Sequence, residues 1–205
     1  MGILTGDGKV DIAVTSECKN SNRICTSTLV GVLLGNGDGT FRSRVLYDLE
    51  GVLARSVAAY DLNGDGKVDL VVAYEQCQPS CQDGSVAVLL GKGNGRFGPA
   101  VSYNTGAADS VSVVVADANG DGKPDLLVAN SDSSVSVLLG NSDGTSQAAV
   151  LYPTNTVDSR SVVVGDVNGD GKLDLAVASL CSTGGGCVAS TVSVFLNTLA
   201  HSCPN

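Results

Sequence analysis

Three nine-residue segments hold the chemistry this chain can do: Asp61-Leu62-Asn63-Gly64-Asp65-Gly66-Lys67-Val68-Asp69, Asp117-Ala118-Asn119-Gly120-Asp121-Gly122-Lys123-Pro124-Asp125 and Asp166-Val167-Asn168-Gly169-Asp170-Gly171-Lys172-Leu173-Asp174. A hard dication such as Ca2+ takes roughly six to eight oxygens at 2.3–2.6 Å. In a tight loop the side chains at positions 1, 3 and 5 turn inward. Glycine at position 6 permits the reversal, position 7 offers its carbonyl, and position 9 closes the site. The ligands so read are Asp61, Asn63, Asp65, the carbonyl of Lys67, and Asp69 in one loop. The next loop offers Asp117, Asn119, Asp121, the carbonyl of Lys123, and Asp125, and the last offers Asp166, Asn168, Asp170, the carbonyl of Lys172, and Asp174. Each lysine takes part through its backbone, which leaves its ammonium free to point to water.

Charge agrees with this reading. The chain has 12 basic and 21 acidic residues, a net charge of −9, and three dications would bring that to −3. Three carboxylates within nine residues repel one another unless a cation lies among them. The acidic balance argues against a nucleic-acid or anionic-membrane partner, since both need a basic surface. EF-hand loops open similarly but need a glutamate at position 12 between two helices. Val72, Val128 and Val177 stand there instead, each inside an apolar strand-like run. Magnesium fits less well, because it keeps several waters and seldom takes an all-protein cage. A fourth copy, Gly6-Asp7-Gly8-Lys9-Val10-Asp11, has Ile3 and Thr5 where Asp and Asn belong. Only Asp7 and Asp11 remain there, and that loop is expected to be empty or weak.

The elements that position these loops recur with them. Each loop runs into an apolar stretch (Ile12-Ala13-Val14, Leu70 to Ala73, Leu126 to Ala129, Leu175 to Ala178). A second apolar stretch then ends in a Leu-Gly or equivalent turn (Gly31 to Gly35, Val86 to Gly91, Val135 to Gly140, Val192 to Leu196). A period near fifty residues signals propellers or solenoids. Short Val- and Leu-rich runs bounded by Gly, Asn and Asp read as strands. In the second unit these are Ser56 to Tyr60, Leu70 to Tyr74, Ser85 to Leu90 and Phe97 to Tyr103. No amphipathic stretch of helical length competes. The fold class expected is all-β, with β-propeller-type four-stranded blades in units 1-50, 51-105, 106-155 and 156-197 and a tail over 198-205. The first unit lacks an opening strand and the last ends after its third. About three and a half repeats make an incomplete or open ring, whose sticky edges point to other copies of the chain or flanking repeats as partners.

The loops, the Asp-Leu-x-Val-Ala strand after them and the Leu33 to Phe41 turn resemble FG-GAP/VCBS repeats, the blades of the integrin α-subunit propeller and of many secreted bacterial proteins. The likeness covers nearly the whole chain. It implies a calcium-stabilised propeller used in adhesion, carbohydrate binding or scaffolding, with glycans or cell-surface proteins as ligands. The third unit departs at Thr145-Ser146-Gln147, where the family's Phe is missing.

Six of seven cysteines fall in pairs between the second and third strands of a unit: Cys18 with Cys25, Cys77 with Cys81, and Cys181 with Cys187. The third unit has no cysteines and a shorter connection, so the pairs read as disulfides closing extended hairpins. Zinc is the rival, but the spacings differ and no His accompanies them. Disulfides place the protein outside the cytosol, secreted or on a cell surface. The first nine residues lack the layout of a secretion signal, which suggests a removed leader or a segment of something longer. Cys203 is left to pair with another chain or stay free in the tail.

Catalytic signatures are few. His201 lies in the tail, no Ser/His/Asp set or phosphate loop stands out, and the loop carboxylates are assigned to metal. Asp109 and Asp158 form a separated carboxylate pair of the kind a glycosidase would use. The reading is a non-enzymatic extracellular calcium-binding scaffold, with a lectin-like module or a segment of a secreted polysaccharide lyase or hydrolase as alternatives. No run is long and apolar enough to insert in a membrane. Tyr47, Tyr103 and Tyr152 fall at matching fourth-strand positions and read as core rather than as sugar-stacking platforms, the role left open for Tyr60 and Tyr74.

Overall fold

The computed structural model describes residues 4–16, 29–49, 53–77, 81–182 and 190–198. Among these the chain forms fourteen strands and no helix. Among the described residues no helix is long and apolar enough to cross a membrane. Four antiparallel sheets follow one another: β1 (Ile12–Ser16), β2 (Leu29–Leu33) and β3 (Val45–Asp48); then β4 (Leu53–Tyr60), β5 (Asp69–Cys77), β6 (Cys81–Leu89) and β7 (Val101–Asn104). The third holds β8 (Ser110–Ala116), β9 (Asp125–Asn130), β10 (Ser134–Leu138) and β11 (Val150–Pro153), and the fourth β12 (Thr156–Gly165), β13 (Asp174–Ser182) and β14 (Thr191–Phe195). Every sheet is a meander in chain order. The arrangement is an open, propeller-like series of blades with no closed barrel.

Successive side chains of a strand face opposite sides of its sheet, and this parity builds three inter-blade cores. Leu70, Val72 and Tyr74 of β5 face the first sheet, where they meet Val30, Val32 and Leu49. Val71 and Ala73 face the other way and join Val86 and Val88 against Val113, Leu126, Val128 and Leu138 of the third sheet. Ala129 and Val135 then meet Val162 and Val177 of the fourth. The first strands β4, β8 and β12 lie side by side. Ser56 Oγ accepts from the Val113 N–H (3.3 Å) and Ser112 Oγ from the Val162 N–H (3.4 Å), which links them across blades.

Strand limits in the second unit differ from those read from sequence. The second and third strands run on to Cys77 and back to Cys81, making a longer hairpin. The fourth begins at Val101 rather than Phe97. Phe97 forms only an isolated bridge to Gly91, closing a turn held by Lys92 N–H to Arg96 O (2.8 Å) and Gly98 N–H to Leu90 O (2.7 Å). Gly93 and Gly95 in that turn have φ of 74° and 73°, a region L side chains avoid, so the ladder is interrupted there.

Candidate metal centre

Each acidic loop joins the first strand of a blade to its second, so all lie at one end of the sheets, opposite the cysteine hairpins. The position 9 aspartates are buried and have a shared task. Asp69 accepts the Leu62 N–H at Oδ2 (2.9 Å) and the Gly91 N–H at Oδ1 (2.7 Å). Asp125 takes the Ala118 (3.0 Å) and Gly140 (2.8 Å) amides, and Asp174 those of Val167 (3.0 Å) and Asn197 (2.8 Å). Asp11 in the degraded loop does the same with Leu4 and Gly35, both at 2.9 Å. Position 9 therefore ties the loop to the turn after the third strand in all four blades, including the one expected to hold no ion. A Cβ on Gly91 or Gly140 would collide with the Val68 or Pro124 carbonyl, so in those two blades the close approach of the turn rests on glycine. The fourth blade uses Asn197 instead, and its Nδ2 reaches across to the Ala118 carbonyl of the neighbouring loop (2.8 Å).

Positions 1, 3 and 5 are the more accessible part of the loop, half-buried to exposed at positions 1 and 3 and exposed at position 5. Asp61 accepts from the amides of Gly64 (2.9 Å), Asp65 (3.2 Å) and Gly66 (2.8 Å). Asp117 and Asp166 repeat the pattern on Gly120, Asp121 and Gly122, and on Gly169, Asp170 and Gly171. Asn63, Asn119 and Asn168 each accept from the amide two residues on, at 3.1, 2.9 and 2.9 Å. Asp65, Asp121 and Asp170 accept from the amides of Lys67, Lys123 and Lys172. The lysine ammonium does not simply face water. Lys67 Nζ lies 2.7 Å from Asp65 Oδ2, with Lys123 at 3.4 Å and Lys172 at 3.9 Å from their aspartates. The position 5 carboxylate is the strongest acceptor in reach, so the flexible stem folds back onto it.

These surroundings separate the carboxylates by acidity. Burial pushes Asp69 and Asp125 above the usual range, with two backbone N–H donors each working against it and the other loop aspartates adding to it. Asp174 lies below its ordinary value, chiefly through the Asn197 N–H. The Lys67 ammonium and amide hold Asp65 low, and Asp65 raises Lys67 in return. Burial would raise Asp121, but the Lys123 amide, Asn119 and the Lys123 ammonium outweigh it.

The donor set is all oxygen, three carboxylates and an amide per loop with a free carbonyl at position 7, and a carboxylate oxygen that accepts one N–H keeps a second lone pair. That chemistry fits Ca2+. The placement is not that of a gathered site: among the described residues no three acidic, His or Cys side chains converge closely enough to hold an ion. The oxygens are turned onto loop amides and the lysine. In the first loop Asp7 caps Lys9 N–H (2.9 Å) and Thr5 Oγ1 donates to Asp11 (3.3 Å); Ile3 lies outside the described residues.

At the opposite end, Cys77 and Cys81 are register partners at the close of the β5–β6 ladder. Cys181 is on β13, while Cys18, Cys25, Cys187, His201 and Cys203 lie outside the described residues. Asp109 and Asp158 both have positive φ (40° and 61°) just before the bulges of β8 and β12. Each is neutralised by an arginine, Asp109 by Arg55 (3.5 Å) and Asp158 by Arg160 (2.6 Å).

Sequence reasoning missed a buried polar network beside them. Thr105 Oγ1 donates to Gly84 O (2.8 Å) and pairs with Ser110 Oγ (3.1 Å), which donates to Asn130 Oδ1 (3.1 Å). Asn130 Nδ2 donates to Ser136 Oγ (2.8 Å) and Ser134 Oγ (3.1 Å). One blade on, Thr154, Thr156, Ser159 and Ser179 form a second hydroxyl cluster. The available signal was the matching place of Thr105 with Thr154 and of Ser110 with Ser159, counted from the fourth-strand tyrosines. Of those tyrosines, Tyr47 packs edge-on against Phe97 (5.7 Å, 89°), and Tyr103 is half-buried in the second core. Tyr152 is 49% exposed and lines an apolar groove of about 550 Å³ with Leu127, Val137, Leu175 and Phe195, so it is not core. Tyr74 is buried and Tyr60 exposed.

Comparison with known proteins agrees with the repeat. A family model described as an FG-GAP-like repeat matches residues 4–72, 61–128 and 117–177, and an FG-GAP repeat model matches 160–195. Each of the first three matches runs from one acidic loop into the strand that directly follows the next loop. None of the curated proteins compared matches the chain. Among solved structures, the chain is similar to the V. cholerae biofilm matrix protein Bap1, at 19% identity and a TM-score of 0.40. That alignment covers 86% of this chain and 33% of the other, so the chain spans about a third of that structure's length.

Proposed function

This chain belongs to the FG-GAP-like repeat family, and from that premise we propose that it is an extracellular calcium-binding scaffold with an adhesive or structural role. The observation that carries the reading is the threefold recurrence of an exposed all-oxygen loop on a buried aspartate anchor. The buried Asp69, Asp125 and Asp174 fix where the loop starts and ends. Asp61, Asn63 and Asp65, and their counterparts, are the oxygens a hard cation would draw from the loop amides and lysine. When bound, calcium supplies charge neutralisation across each loop and adds to the stability of the folded state by mass action. The register pairing of Cys77 with Cys81 supports a disulfide across that hairpin and hence an oxidising compartment.

The test is thermal unfolding and protease resistance in calcium and in chelator. Calcium should raise Tm, and Asp121→Ala should remove part of that rise while Asp7→Ala leaves it intact. Identical curves in calcium and chelator would overturn the metal assignment. A second reading, glycan binding, is favoured by one feature: exposed Tyr152 beside the apolar groove is a surface on which a sugar ring can stack. A glycan array on wild type and Tyr152→Ala separates the two, since a scaffold role alone predicts no Tyr152-dependent signal.

A further inference from the structure

Five asparagines of this chain stand directly before a glycine: Asn36, Asn63, Asn94, Asn119 and Asn168. The five glycines all have positive φ, between 72° and 87°. Such a step can react with itself, because a glycine carries no Cβ to keep its nitrogen away from the asparagine side-chain carbon. Three of the five are guarded. The Gly64, Gly120 and Gly169 N–H groups donate to the position 1 carboxylates of Asp61, Asp117 and Asp166, at 2.9, 2.7 and 2.7 Å. After Asn94, Gly95 is buried beneath Leu34, whose Cδ2 would lie 2.5 Å from a Cβ there. The Asn36–Gly37 step has neither guard. Both residues are exposed, and among the described residues no acceptor is set against the Gly37 N–H. That exposure does not come from the uncovered side of the first sheet, since Lys92, Asn141 and Ser142 are exposed at the matching places of the two middle blades. Asn141 is a near twin: its Nδ2 donates to Thr145 Oγ1 as that of Asn36 does to Thr40 Oγ1, both at 2.9 Å, but a serine follows it.

We propose that Asn36 is a self-modification site, converted in the folded chain to aspartyl and isoaspartyl residues, while the position 1 aspartates keep Asn63, Asn119 and Asn168 from the same reaction. The Gly37 backbone nitrogen gives its proton to solvent and attacks Asn36 Cγ. The new C–N bond closes a five-membered succinimide; the Cγ–Nδ2 bond breaks, and Nδ2 leaves as ammonia with a proton from water. A water molecule then opens the ring at either carbonyl, so the sum is one water consumed and one ammonia released. In the acidic loops the attacking nitrogen is tied through its proton to a carboxylate, and that bond must break first. The product puts a new carboxylate beside Asp38. Its isoaspartyl form adds a methylene to the backbone of the turn that Asp11 anchors through the Gly35 N–H (2.9 Å).

The experiment is storage of the whole folded chain in a metal-free, mildly alkaline buffer, then peptide mapping by mass spectrometry with enzymatic labelling of isoaspartyl groups. The readout needs no bound ion, so it stands apart from the calcium reading. Breaking a hydrogen bond to a charged acceptor slows a step about tenfold or more, and Asn36 should outpace Asn63, Asn119 and Asn168 by that margin. In urea the rates should converge, because the guards exist only in the folded chain. Asp61→Ala should raise Asn63 toward the rate of Asn36 and leave Asn119 and Asn168 slow, which also reports that the variant is folded. Gly37→Ser, a copy of the Asn141–Ser142 turn, should lower Asn36 to the rate of Asn141. Equal rates for Asn36 and the loop asparagines in the folded wild type, or an Asn63 that stays slow in Asp61→Ala, would overturn the proposal.

Discussion

The junction between the first and second sheets and the two that follow share a backbone register but not a chemistry. At the cysteine-hairpin end of the first stand Leu49, Ala54 and Tyr74, all buried and part of one apolar core. The matching places in the second hold Thr105, Ser110 and Asn130, and in the third Thr154, Ser159 and Ser179. Buried hydroxyls and an amide are tolerated there because nearly every one has a partner. The junctions therefore fail in different ways: the first is held by volume, and the others by complete pairing, where one missing group leaves its partners unsatisfied.

The largest effect should come from Tyr74→Ala. It empties a fully buried aromatic site and should cost about 3–5 kcal/mol in denaturant unfolding. Asn130→Leu keeps the volume near the original but leaves the Ser110, Ser134 and Ser136 hydroxyls short of a partner; we expect a loss of about 2–3 kcal/mol. A small value for Asn130→Leu alongside a large one for Tyr74→Ala would show that the second junction does not depend on its hydrogen bonds. Gly84→Ala sharpens the contrast, since its Cβ would come 2.5 Å from Ser110 Oγ and 2.8 Å from Thr105 Oγ1. It should destabilise by about 1–2 kcal/mol through overpacking, and Ser110→Ala in the same chain should recover part of that loss.

The smallest effect concerns pH. Glu75, one residue after Tyr74, is raised above its ordinary value of 4.5 by burial and by Asp109, with Arg55 opposing. A carboxyl whose folded pKa is raised adds stability that is complete below the unfolded value and disappears as pH rises through the folded one. Glu75→Gln should therefore flatten the stability profile just above pH 4.5. An unchanged slope between acid and neutral conditions would remove Glu75 from the account.

The blades and loops were legible in the sequence because periodicity and turn chemistry act locally. Asp-x-Asn-Gly-Asp-Gly marks a loop wherever it falls, and the unbroken apolar run Val86 to Leu89 marks a strand with two buried faces. What stayed hidden depended on partners distant in sequence. Asp69 looks like a ligand beside Asp65, yet its two oxygens hold Leu62 and Gly91, the latter 22 residues away. Lys67 looks like a solvated side chain until the Asp65 carboxylate is seen within reach of its ammonium. Thr105 and Ser110 read as connection residues, although the fold buries both against Gly84 of the preceding blade.

Calcium titration calorimetry on the chain freed of divalent ions tests the central claim most directly. The account predicts uptake of three ions per chain, one for each complete loop, with one lost in Asp61→Ala, Asp117→Ala or Asp166→Ala and none lost in Asp7→Ala. No saturable heat under physiological salt, or a stoichiometry unmoved by any of the three loop variants, would contradict it.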